Sequence, residues 1–223
     1  MSTAIATPPV ANEPVQHFVF GDVGYDQFVA ITDAWGERPG LRVSYDGTRL
    51  EVMTTSRRQE RWKKLLGQLI DLITLTLDIP KKSGGNTTFR NRFVERGVEP
   101  DDCFWIQNAD GILGVDDWVA GTHPPPDLAI EIIVTRGVVD RQEIYSRLGV
   151  TELWTFDGAN LTALHRQDDG SHHEVERSIA FPFLEVSQLV PFLTMDSSVG
   201  ETAIMKQFLA WLESQNFPGA QHS

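Results

Sequence analysis

One carboxylate stands in the middle of an apolar run. In Asp127-Leu-Ala-Ile-Glu-Ile-Ile-Val134, Glu131 is flanked by Ile130, Ile132 and Ile133. A carboxylate in such surroundings is costly to bury unless a partner compensates its charge. The chemistry this suits is cation holding, since magnesium takes hard oxygen ligands, commonly one or two carboxylates. Two plainer readings compete: a strand at a sheet margin where Glu131 meets water, and an ion pair with an arginine. Asp127 lies on the same strand face, but a strand advances about 3.3 Å per residue, which puts the two backbones about 13 Å apart. Both cannot ligate one magnesium at about 2.0–2.1 Å. A second acid must come from another strand, and Asp101, after Pro100 at the mouth of the short apolar strand Cys103 to Ile106, is best placed. Taken alone, Pro-Asp more often marks a turn.

Glu51 shares a strand face with Met53 in Leu50-Glu-Val-Met53, as a third acid of the same cleft or as an ordinary solvent-facing hairpin residue. Arg141 and Tyr145, four apart, share one face of the helix after Glu131's strand. A guanidinium there suits a phosphate; without further context, an exposed arginine paired with Asp140 or Glu143 is the expected arrangement. His172-His173 has no third ligand nearby in sequence for zinc. Neither a G-x-x-x-x-G-K-[ST] phosphate loop nor a G-x-S-x-G nucleophile elbow occurs. Cys103, in its apolar strand, reads as an inert buried thiol.

These residues need elements to hold them. Tyr25 to Trp35 reads as a short helix with Phe28 and Ile31 on its apolar side. Leu41 to Tyr45 and Arg49 to Met53 flank Asp46-Gly47, a tight-turn pair that predicts a β-hairpin. Trp62, Leu65, Leu66, Leu69, Ile70, Ile73 and Leu77 recur at helical spacing over Glu60 to Asp78, with Pro80 beyond the end. Lys81 to Thr88 follows as strand edge and turn. The strand of Glu131 is apolar on both faces, which describes a central strand covered on two sides. A helix over about Val139 to Leu148 and a strand at Thr151 to Phe156 follow it, favouring a parallel pair. Leu161 to His165 and His173 to Arg177 form a hairpin around Asp169-Gly170, and Val199 to Leu212 closes the chain as a helix. The expected class is α/β (α+β), a mixed sheet flanked by helices in one domain over residues 17–223, with residues 1–16 as a loose tail.

The chain has 223 residues, 41% hydrophobic and 22% charged, which excludes global disorder, collagen-like and coiled-coil classes. No apolar run approaches the roughly 20 residues of a membrane span, and the opening MSTAIATPPVANEP lacks the pattern of a secretory signal. One cysteine excludes an internal disulfide framework. The cytoplasm is the default expectation. Nineteen Lys and Arg against 31 Asp and Glu give a formal charge of −12, a field that repels polyanions, whereas DNA binding rests on cations neutralising phosphates. A nucleic-acid role therefore needs a partner, a divalent metal in an acidic cleft, or a local patch, for which Lys63, Lys64, Lys81, Lys82, Arg90 and Arg92 are candidates.

From about Tyr45 to Phe156 the chain resembles the Uma2 family of restriction endonucleases with the PD-(D/E)xK fold. The fragments YDGTRLEVMTTS, RWKKLLGQLI, GGNTTFR, RGVEPDDCFWIQN, PPPDLAIEIIVT and DRQEIYSRLGVTELWTF occur in family order. The resemblance implies a restriction-endonuclease-like mixed sheet with helices on either side, often paired as a homodimer. It also implies that Asp101 and Glu131 bind magnesium or manganese. Two departures stand out. The fold's lysine two residues beyond the Glu is Ile133 here; Uma2-like sequences carry it on the following helix, four residues before a Tyr, where this chain has Arg141. Lysine can release a proton to help activate water, whereas arginine stays charged. Where the family often has His-Glu, this chain has Gln59-Glu60. The expected function is a magnesium-dependent nuclease cutting phosphodiester bonds of DNA, with Asp101, Glu131, Arg141 and Glu51 as its catalytic set. The alternatives are a catalytically inactive relative that binds protein or nucleic acid and, more weakly, a metal-dependent hydrolase of a small phosphorylated or nucleotide substrate.

Overall fold

The computed structural model describes residues 15–36, 40–85, 87–134, 137–215 and 217. Residues 1–14 of the expected tail lie outside these, as do Asn86 and Thr135 of the fragments above. In chain order the strands are β1 His17–Phe20, β2 Leu41–Tyr45, β3 Leu50–Thr54, β4 Lys82–Ser83, β5 Phe89–Asn91, β6 Arg96–Val98, β7 Asp102–Trp105, β8 Leu128–Ile132, β9 Glu152–Phe156, β10 Leu161–Arg166 and β11 His172–Val175. The helices are α1 Tyr25–Trp35, α2 Arg57–Thr76, α3 Arg141–Leu148, α4 Val190–Leu193 and α5 Glu201–Ser214.

The strands divide between two sheets, one of them mixed as expected. Sheet A runs β1-β3-β2-β6-β5, and sheet B runs β11-β10-β9-β8-β7-β4. In sheet B, β8 and β9 are parallel and joined through α3, while β7 lies antiparallel on the other side of β8. Every residue of β8 is buried, as its apolar character on both faces requires. The hairpin turn is held by Asp46, whose Oδ1 accepts from the N–H groups of Thr48 at 3.1 Å and Arg49 at 2.7 Å.

α2 starts at Arg57, three residues before the expected Glu60. Ser56 and Gln59 form a reciprocal capping box there, satisfying two N–H groups that helix geometry leaves open. Its Leu65, Leu66, Leu69, Ile70 and Ile73 are fully buried against Leu128, Ile130 and Ile132 of β8 and Ile204, Phe208 and Leu212 of α5. On the other face of sheet B, Ile144, Tyr145 and Leu148 of α3 cover Cys103, Ala129 and Leu153. Burial pushes the Cys103 thiol well up, as an inert buried cysteine should behave. α1 packs Tyr25 and Phe28 on Val43, Tyr45, Leu50 and Val52, the apolar face of sheet A.

Strands β1, β5 and β6 span three or four residues each, too few for alternation to show in the sequence. Gly97 in β6 is where the Phe28 ring enters: a Cβ there would lie 2.3 Å from that ring, which is stacked on Tyr45 at 4.7 Å. Gly97→Ala should therefore lower the unfolding free energy by about 1–3 kcal/mol through overpacking. Denaturant unfolding of wild type and variant checks this, and an unchanged midpoint would contradict the packing account.

Candidate functional site

The site lies where the polar face of sheet A meets the α3 side of sheet B. Alternation along β2 and β3 sends Val43, Tyr45, Leu50 and Val52 to α1, so Arg42, Ser44 and Glu51 point the other way. Asp101, one residue before β7, brackets Glu131. Its backbone N–H donates to Ile130 O at 3.0 Å, and its Oδ2 accepts from Ile132 N at 2.7 Å. The two acids expected to converge from neighbouring strands are thus neighbours, buried to 5% and 7% exposure.

Each acid carries an arginine. Arg42 Nε donates to Asp101 Oδ1 at 3.0 Å, and its Nη2 reaches Glu60 at 3.4 Å. Arg141 Nη2 donates to Glu131 Oε1 at 2.5 Å and to Glu99 O at 2.7 Å, while Nη1 donates to Ser44 Oγ at 2.8 Å. The Tyr145 hydroxyl donates to the same Glu131 oxygen. The exposed arginine paired with Asp140 or Glu143 is therefore not what forms. Asp140 instead caps α3 by accepting from Glu143 N at 3.2 Å, and Glu143 pairs with Arg96 and Arg147. Buried polar groups need partners, and Arg141 finds its own inside. Of the two plainer readings for Glu131, the arginine pair is the one that forms.

Burial pushes the Glu131 carboxyl up to about 7, against the pull of Arg141 and Tyr145, with Asp101 adding to the rise. Burial opposes the Arg141 charge too, yet Glu131, Tyr145 and Asp101 together hold its pKa above the usual value. The Tyr145 hydroxyl is pushed well up by burial and by the adjacent Glu131.

Glu51 is fully buried, so it is not a solvent-facing hairpin residue. Its Oε1 accepts from Val138 N at 2.6 Å and lies 2.5 Å from His17 Nε2. It therefore grips the segment leading into α3, and Gly137 lies so close that a Cβ there would come within 2.7 Å of the carboxylate. His17, Arg42 and Ser44 were not singled out from the sequence. The polar alternation in Leu-Arg-Val-Ser-Tyr45 was their available signal, and it looks the same for a solvent-facing strand.

Four of the six cations of the candidate basic patch are paired with acids. Lys64 meets Glu201 at 3.3 Å, Lys81 meets Asp71 at 2.8 Å, Arg90 meets Asp33 at 2.6 Å and Arg92 meets Asp26 at 2.6 Å. Among the described residues, no group of three or more His, Cys, Asp or Glu is arranged to hold a metal. Magnesium commonly takes only one or two carboxylates and keeps several waters, and Asp101 and Glu131 are oxygen donors of that kind; both Asp101 oxygens and Glu131 Oε1 already accept from protein groups.

Removing the cation beside Glu131 tests this balance. In EDTA, Arg141→Met should lower the unfolding free energy by about 3 kcal/mol at pH 8, and by less at pH 5. A carboxyl whose folded pKa is raised favours the folded state most when protonated, and that contribution is lost as pH rises through about 7. Denaturant titrations at both pH values check it; equal losses would contradict the ion-pair account.

Comparison with known proteins adds three findings. None of the curated proteins compared matches the chain. A solved structure from Anabaena variabilis, titled as a "putative nuclease belonging to DUF820", aligns with a TM-score of 0.45 at 11% identity, covering 85% of this chain and 99% of its own. The sequence profile of Uma2, described as "Putative restriction endonuclease", matches residues 25–199, a span that includes Glu51, Asp101, Glu131 and Arg141. The chain belongs to the Uma2 family.

Proposed function

We propose that this protein is a nuclease that hydrolyses phosphodiester bonds of DNA with magnesium or manganese held by Asp101 and Glu131. The observation that carries the reading is the bracketing of Glu131 by Asp101, which sets two buried carboxylates side by side at the ends of β7 and β8. When bound, such an ion generates hydroxide from its water and stabilises charge on the leaving oxygen.

The chain's own residues have separable roles. Asp101 and Glu131 supply oxygen ligands. Arg141 stays positive throughout and cannot serve as a base. Its bonds to Ser44 Oγ and Glu99 O fix a guanidinium beside the acids, a donor preorganised for a phosphate oxygen. Tyr145 orients the Glu131 carboxylate by donating to Oε1. Glu51 holds Val138 and so positions the start of α3. The total charge of −12 disfavours polyanion binding at large, and a bound divalent ion inverts that logic locally. The homodimer implied by the family resemblance belongs with this reading, and sedimentation reads it directly.

A second reading, a relative that binds without cutting, is favoured by one observation: Arg42 and Arg141 already occupy the two acids. Two measurements separate the readings. Calorimetry with manganese should give binding that is lost in Glu131→Gln. Time courses on plasmid, single-stranded DNA and RNA should show cleavage of DNA with magnesium or manganese and none in EDTA. Asp101→Asn and Glu131→Gln should each slow cleavage at least about a hundredfold. A folded wild type that neither binds manganese nor cuts would overturn the nuclease reading in favour of the second.

A further inference from the structure

The α3 face of sheet B changes character from one residue row to the next. Cys103 pairs with Ala129, Ala129 with Leu153 and Leu153 with Leu164, an apolar row against which α3 packs. Two residues along each strand on the same face, Glu131 stands beside Thr155 and Thr155 beside Thr162. This second row is polar and ends at Asp101.

Thr155 and Thr162 are half-buried, and neither hydroxyl has a hydrogen-bond partner among the described residues. They line a cleft of about 480 Å³ together with Ile133, Val134 and the Asp157–Asn160 turn. That size falls within the roughly 300–1,000 Å³ of small-ligand sites. The cleft opens past the carboxyl ends of the parallel strands β8 and β9, where sheets of this kind commonly seat ligands.

The walls select a chemical class. Among the described residues, no lysine or arginine lines the cleft. The carboxylate among them, Asp157, accepts from Ala159 N at 2.8 Å and Asn160 N at 2.7 Å within its own turn. Of the described lining groups, the charged one that a phosphate would meet is an acid. A neutral group with hydrogen-bonding edges and apolar faces would meet two free hydroxyls beside Ile133 and Val134, which are 37% and 47% exposed.

We propose that this cleft is a nucleoside subsite, in which Thr155 and Thr162 hydrogen-bond the base or sugar adjoining the phosphodiester presented to Asp101 and Glu131. The proposal rests on the nuclease reading above and deepens it: Thr155 and Thr162 recognise the substrate strand through its nucleoside, while Arg141 meets its phosphate.

The test compares two phosphodiesters with manganese present. One is a short fluorescein-labelled DNA strand; the other is bis(p-nitrophenyl) phosphate, which has no nucleoside. In Thr155→Val/Thr162→Val, the ratio of kcat/KM for DNA to that for the small ester should fall about tenfold, mainly through a higher KM for DNA. Thr155→Ser/Thr162→Ser, which keeps both hydroxyls, should restore the ratio. An unchanged ratio in a folded valine variant overturns the subsite and leaves the nuclease reading intact. Wild type inert on DNA but active on the small ester also overturns the subsite, and wild type inert on both overturns the nuclease reading with it. Should the valine variant fail to fold, Val134→Trp at the exposed lip obstructs the same cleft and must lower the same ratio, or the subsite is wrong.

Discussion

A buried guanidinium ties the two sheets of this domain together. Arg141 leaves the first turn of α3 and reaches Ser44 on β2, the backbone of Glu99 in the crossing between sheets, and Glu131 on β8. Arg42 repeats the device from β2 to Asp101. Charges withdrawn from water in this way hold only where geometry supplies partners on both sides, so the sheets cannot slide past one another without stranding both signs. Glu152 shows the alternative solution. It is equally buried, yet its carboxylate is held by neutral donors, Trp154 Nε1 at 2.7 Å, Ile179 N at 2.9 Å and Ala180 N at 2.6 Å. One glutamate is fastened by the backbone of its own domain; the other is left facing a cation.

The acids of this chain are unevenly matched. Many surface carboxylates meet a lysine or arginine, which is why the candidate basic patch offers so little free charge. A cleft of about 800 Å³ has Arg90 and Arg92 in its walls but also Asp33, Glu99, Asp116 and Asp117, a poor cradle for a polyanion. Arg42 and Arg141 lie instead at the meeting of the sheets, each against an acid and shielded from salt by burial.

Much of this was legible along the chain, and the limits are physical. The doubly apolar strand around Glu131, the parallel partner after its helix and the pairing with Asp101 follow from strand geometry, because one face and one rise per residue constrain them. The outline of α1 and the β2–β3 hairpin followed from local period and turn chemistry. The start of α2 was misplaced because a capping box is polar and adds nothing to an apolar period. Glu51 and His17 illustrate the harder limit. Their meeting joins residues 34 apart with the segment before α3, and nothing in Leu-Glu-Val-Met or His-Phe-Val-Phe distinguishes an inward polar face from an outward one. The buried seat of Arg141 is hidden in the sequence as well, because its local neighbours Asp140 and Glu143 offer it a surface pairing in place of the buried one it makes.

The length of α3 governs more than packing. Asp140 stops the helix by capping Glu143 N, and Gly137 is pressed too closely on Glu51 for the preceding segment to thicken. One further turn at that end would displace Val138 and Val139, whose N–H groups Glu51 holds. A single capping aspartate thus guards that grip by ending the helix before it.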